Sequence, residues 1–247
     1  METHYFKWHS PHLGQDMEMK IYGHGGKPAL AFPTEGGSHS EFEDYAMIDA
    51  CEPFIAAGRL RLATVGSVDL QSWANYSVSP PVRAQRHEEY ERYILEEVVP
   101  KLSNMEPKAT SGILTMGCST GGYHAANFFF RHPGVFDAVI ALSGMLQLRL
   151  YIGDYMDQTV YFHSPLDYLR HLHDVRIIDQ LRQNTIIVCA GRGDWDWPMV
   201  ADAETLRLIL DAKGIRAWID IWGSDVTHDW HWWRKQLPYF LPHVPGV

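Results

Sequence analysis

Met116-Gly117-Cys118-Ser119-Thr120-Gly121-Gly122 is the stretch that decides the reading of this chain. An apolar run, Gly112-Ile113-Leu114-Thr115-Met116, leads into it, and a helix-forming run from Gly122 to Phe130 leads out. Alone, Gly-x-Ser-x-Gly is a short pattern that chance produces often. Between a strand and a helix it has the form of a nucleophile elbow, with the serine in a strained conformation and its hydroxyl exposed. Gly117 and Gly121 leave room for strand and helix to pass closely. The N–H groups at the start of the helix favour negative charge beside the serine.

Outward from that turn, apolar strands alternate with helices. Residues 17–22 and 28–32 read as strands, joined at 23–26 by what reads as a hairpin turn. Residues 41–57 read as a helix, 61–66 as a strand, and 80–99 as a long helix ended by Pro100. Tyr90, Tyr93, Ile94 and Val98 form its apolar face. Further strands fall at 136–142, 185–190 and 216–222, with helices at 199–213 and about 230–240. The alternation predicts an α/β fold with a mainly parallel central sheet and helices on both faces, the α/β-hydrolase arrangement. Residues 145–175 break the rhythm. They are expected to form a small cap insertion of short helices on a single domain covering 1–247.

Composition narrows the function classes. The formal net charge is −9 and no long basic run appears, which argues against nucleic-acid and anionic-membrane partners. The amino-terminal residues have no apolar signal core, and no stretch approaches a membrane span. The three cysteines, Cys51, Cys118 and Cys189, are scattered and odd in number, with neither metal-ligand nor disulfide spacing. Free thiols point to a reducing, cytoplasmic setting. A homo-oligomer is left open.

A serine needs a base, and the base an orienting carboxylate, expected in the chain order Ser, acid, His. The strand at 185–190 runs into Gly191-Arg192-Gly193-Asp194-Trp195-Asp196. Asp194, nearer the strand end, is the expected acid, and Asp196 is its rival. The base is expected at His228, in the loop after the last strand. His231 follows three residues later, but the pair lacks the Glu of a His-Glu-x-x-His metal motif, so no metal is expected. Backbone N–H groups of Thr120 and Glu35 are the expected oxyanion donors. Trp73, Trp195 and Trp197 are candidate walls of the substrate pocket. Cys118 could be proposed as the nucleophile, but its position in an elbow points into the packing.

Three stretches resemble the "Putative esterase" family of α/β-hydrolases, which includes S-formylglutathione hydrolases and mycolyltransferases. They are Gly117 to Ala125, Phe32 to Gly37 with Glu41 to Asp44, and His228-Asp229-Trp230-His231-Trp232-Trp233-Arg234-Lys235. The resemblance covers the chain from about residue 17. It implies hydrolysis of a small-molecule carboxylic ester without a cofactor, by a serine esterase forming an acyl-enzyme on Ser119. An acyltransferase using the same three residues, and a non-catalytic binding protein on the same fold, are the alternatives.

Overall fold

A computed structural model describes residues 1–105 and 112–247. Its eight strands form one sheet in the order β1-β2-β4-β3-β5-β6-β7-β8. In chain order they are β1 (Thr3–Ser10), β2 (Gln15–Tyr22), β3 (Lys27–Phe32), β4 (Leu60–Val65), β5 (Ile113–Cys118), β6 (Phe136–Leu142), β7 (Thr185–Ala190) and β8 (Trp218–Ile221). Strands β4, β3, β5, β6, β7 and β8 run parallel, and the β1–β2 hairpin joins antiparallel at β4.

The central strands are apolar runs buried on both faces, as a covered parallel sheet requires. Side chains alternate between two cores. Leu30 and Phe32 of β3 pack with Tyr90, Ile94 and Phe128 on one face. Ala29 and Ala31 pack with Met47, Ile55 and Phe240 on the other. The first core is covered by α3 (Pro80–Tyr93), α5 (Thr120–Arg131) and α10 (Trp197–Asp211). The second is covered by α2 (Met47–Ala56) and α11 (Trp230–Phe240).

Three expectations change, and one strand is new. The turn at 23–26 does not close a hairpin, because β2 pairs with β4 and the chain crosses β4 before entering β3. The helix expected at 41–57 is two pieces, α1 (Glu41–Asp44) and α2, broken where Ala46 takes a φ of 57°. Pro100 does not end the long helix. The chain passes through a π-helical turn at Ile94–Val98 and continues as α4 (Val99–Ser103). Pro100 stands in the first turn of α4, where its missing N–H costs least. Finally, β1 has no counterpart in the sequence reading.

Between β6 and β7 lie short helices α6 (Arg149–Ile152), α7 (Gln158–Phe162) and α8 (Pro165–Arg170), then α9 (Val175–Gln183). The start of this segment is pinned to α10. Buried Asp202 accepts the Leu146 N–H at 2.8 Å and the Gln147 amide at 2.7 Å.

Candidate active site

Loops after β3, β5, β6, β7 and β8 all contribute to one site at the carboxyl ends of the parallel strands. Ser119 ends the β5 turn with φ 56° and ψ −126° and stands as the N-cap of α5. A non-glycine residue at positive φ is strained by about 1–3 kcal/mol and persists only where its surroundings force it. Here the forcing is close packing. A Cβ on Gly117 would lie 2.2 Å from the Gly121 carbonyl oxygen, and one on Gly121 would lie 2.3 Å from that of Phe32. The serine N–H is held by Leu142 O at 2.9 Å.

His228 reaches this serine from the loop between β8 and α11. Its Nε2 is 2.9 Å from Ser119 Oγ, and its Nδ1 is 2.5 Å from Asp196 Oδ1. The ring meets Trp233 edge to face, centroids 5.0 Å apart. Asp196 is fully buried. Its other oxygen, Oδ2, accepts from Ser143 Oγ and from the Gly191 N–H, both at 2.8 Å. These donors fix the orientation of the carboxylate, and Nδ1–H on the imidazole leaves Nε2 free to accept from the serine.

The expectation of Asp194 is corrected by this geometry. Asp194 is exposed, and it meets His228 only through its backbone carbonyl, which accepts the His228 N–H at 3.4 Å. The cause is the turn after β7. Trp195 takes a φ of 73°, and the Asp196 N–H returns to Gly193 O at 3.4 Å. That reversal turns Asp194 outward and swings Asp196 under the histidine. Ser143, which supports Asp196 directly, has no counterpart in the sequence reading, and Trp233 entered it only within the stretch that carries the resemblance. Ser143 directly follows β6 with a φ of 49°, a strained conformation that no sequence pattern announces.

His231 is exposed on α11 and lies 2.8 Å from Lys235 Nζ, away from the site. Among the described residues, no group of three or more His, Cys, Asp or Glu is arranged to hold a metal ion. Cys118 is buried, and burial holds its thiol well above the ordinary value, so it stays protonated inside the sheet.

The loop after β3 is tied down residue by residue. Glu41 accepts both the backbone N–H and the hydroxyl of Thr34, each at 2.7 Å. Burial raises the Glu41 carboxyl, with the Thr34 donors opposing. Asp69 accepts the Gly36 N–H at 3.3 Å and is paired with buried His124 at 2.8 Å. Between those two, the Glu35 N–H has no protein acceptor among the described residues. The Thr120 N–H, first in α5, also lies outside the helix's own bonding. Both N–H groups are thus without a protein acceptor among the described residues.

Trp73 is no pocket wall. It is fully buried and packs 4.9 Å from His87, inside the core. Its place near the end of a polar loop gave no sign of this burial. Trp195 and Trp197 flank Asp196 in sequence and are 82% and 75% exposed, open to solvent.

Nucleophile, carboxylate and histidine in that order, on a mainly parallel eight-stranded sheet, define an α/β-hydrolase. Residues 63–244 match the family described as "Putative esterase", and the chain belongs to that family. It is a serine ester hydrolase. No protein of curated function matches it significantly in sequence. Solved structures do match in fold. A ferulic acid esterase superposes with a TM-score of 0.75 at 16% identity, covering 98% of this chain and 97% of its own. The fluorophosphonate-binding serine hydrolase F of Staphylococcus aureus gives 0.73 at 16%, covering 98% and 97%. An S-formylglutathione hydrolase from Agrobacterium tumefaciens gives 0.72 at 13%, covering 98% and 93%. At such identities the likeness speaks for the fold.

Proposed function

We propose that this chain hydrolyses small-molecule carboxylic esters through an acyl-enzyme on Ser119. His228 Nε2 takes the hydroxyl proton as Oγ forms a bond to the acyl carbon. The carbonyl electron pair moves to oxygen, which the Thr120 and Glu35 N–H groups hold. The oxyanion collapses, and the alcohol leaves with the proton from His228. Water, deprotonated by the same nitrogen, then attacks the acyl carbon and releases the acid, regenerating Ser119. Asp196 keeps the imidazole in the required tautomer and balances its positive charge.

The observation that carries this reading is the continuous chain Ser119 Oγ, His228, Asp196, at 2.9 and 2.5 Å. No helix among the described residues is long and apolar enough to cross a membrane. The free, buried Cys51, Cys118 and Cys189 support a reducing, cytoplasmic setting. The test is a panel of esters with varied acyl and alcohol groups, run beside a fluorophosphonate label. Hydrolysis with one label per chain at Ser119, both lost in Ser119→Ala, is the expected result. Hydrolysis retained above about a hundredth in Ser119→Ala would sink it.

A further inference from the structure

One side chain joins the two residues that carry the unpaired N–H groups. Tyr151, in α6 of the segment between β6 and β7, places its hydroxyl 2.8 Å from Thr120 Oγ1 and 2.7 Å from Glu35 Oε2. The proton order follows from the acceptor at the end. A carboxylate only accepts, so the phenol donates to Glu35, and the phenol oxygen is left to accept from the Thr120 hydroxyl. The result is a directed chain, Thr120 O–H to Tyr151 O–H to the Glu35 carboxylate. Its two ends lie on different loops, one after β3 and one after β5. Its middle lies on a third segment.

The bridge is braced from behind. Buried Arg83 of α3 donates to Tyr151 O at 2.9 Å and to Trp73 O at 3.0 Å. The Tyr151 ring is buried, as is Thr120. Burial and the Glu35 bond together hold the phenol above its ordinary value, so it remains a donor throughout the working range. The ring alone would pack as well with no hydroxyl. The hydroxyl is spent on Thr120 and Glu35.

We propose that Tyr151 is a positioning residue for the oxyanion site, its hydroxyl fixing the spacing between the Thr120 and Glu35 peptides. This rests on the esterase reading above. Donor spacing matters because an oxyanion hole works only when both N–H groups already aim at the oxygen that becomes charged. On this view the segment after β6 is part of the reacting centre and does more than cover it.

The test compares wild type with Tyr151→Phe, Thr120→Val and the double variant on one short ester. Phenylboronic acid, which adds to the serine as a tetrahedral anion, serves as the second probe. Tyr151→Phe should lower kcat by roughly 10- to 100-fold, less than outright loss of a donor. KM should stay within about twofold, because ground-state binding does not use the hole. Phenylboronic acid affinity should fall in step with kcat/KM, and melting should fall only modestly, as loss of one hydroxyl's bonds would give. The double variant should be no slower than the slower single one, since both remove the same bridge. A Tyr151→Phe enzyme with wild-type kcat and boronate affinity would overturn the proposal. So would independent, multiplying losses in the double variant. Should Tyr151→Phe fail to fold, Thr120→Val reads the same bond from its other end, and wild-type kcat there overturns it equally. Failure of the esterase reading looks different: Ser119→Ala would then leave hydrolysis and boronate binding intact.

Discussion

The indole N–H of Trp233 donates to Ser143 Oγ at 3.2 Å, and the hydroxyl of Ser143 donates in turn to Asp196 at 2.8 Å. One residue of α11 is thereby linked to the carboxylate after β7 through a serine after β6. The same indole edge-packs on His228. Trp233 therefore bears on both members of the acid–imidazole pair, and Ser143 is the relay between them.

Ser143→Ala removes one of the two donors that hold Asp196 Oδ2 and leaves the Trp233 N–H without its acceptor. A hydrogen bond to a charged group contributes about 1.5–3 kcal/mol, so stability should drop by that order. Turnover should fall by roughly tenfold, because the Gly191 N–H still holds the carboxylate in place. Thermal melting and kcat on a single ester check both. An unchanged melting point would mean that the serine bond is not made in solution.

The two aspartates around Trp195 separate cleanly. Asp196→Asn should leave the fold standing but lower kcat by about 10⁴-fold, as the amide favours the wrong imidazole tautomer. Asp194→Asn should stay close to wild type, because only the backbone of Asp194 meets His228. Turnover of both variants on the same ester decides it, and a crippled Asp194→Asn beside an active Asp196→Asn would reverse the assignment.

Gly121→Ala places a methyl 2.3 Å from the Phe32 carbonyl and 2.5 Å from that of Pro33. Backbone cannot swing aside as a flexible side chain can. Overpacking typically costs about 1–3 kcal/mol, and against backbone on both sides the cost should reach or pass the top of that range. We expect a melting temperature lowered by many degrees, with activity lost because the β3 loop and the elbow are pushed apart. A folded, fully active alanine variant would show that the contact is looser than described.

Acid should weaken the fold earlier than carboxylates alone would. Burial keeps His87 well below the ordinary histidine value, and burial together with Arg131 pulls His163 down to about 3. The unfolded chain protonates both near pH 6.5. Below that pH the unfolded state binds more protons than the folded one, so stability declines as pH drops. The slope is up to ~1.4 kcal/mol per pH unit for each histidine. Glu91 adds the same sign lower down. Burial raises its carboxyl, but His132 and Arg131 overcome that and hold it at about 2. Melting curves from pH 7.5 to 4.5 measure the slope, which should be shallower in His163→Gln. An identical slope in that variant would mean that His163 charges in place.

Chelation should leave the enzyme active. The proposed chemistry uses Ser119, His228, Asp196 and two backbone donors, and the His231 ring lies against Lys235. Hydrolysis measured before and after EDTA, then with added zinc, checks this. Activity lost to the chelator and restored by zinc would bring a metal into the reaction.

The elbow, the apolar strands and the placing of His228 were legible because each is written in local pattern. Glycines at fixed offsets, apolar runs of strand length and a loop after the last strand need no tertiary knowledge. The acid was not legible in the same way. Choosing Asp196 over Asp194 depends on a tryptophan at positive φ, a conformation that no propensity assigns to Trp195. Likewise β1 hides in Thr3-His4-Tyr5-Phe6-Lys7-Trp8-His9-Ser10, whose alternation is diluted by polar residues on an edge strand. The strand order hid the crossing between β2 and β3. Both halves of that connection look like a hairpin until β4 is seen between them.

Phe32 sits beside Gly117 where β3 meets β5, although most of the first half of the chain separates them. The N–H groups of Glu35 and Thr120, the donors of the proposed oxyanion site, therefore come into range only after that distant pairing has closed. Contacts between remote segments form late and slowly. Ester turnover is thus a reporter of the last stage of folding. During refolding from denaturant, helical signal should return first, and catalysis should lag until the centre of the sheet is zipped.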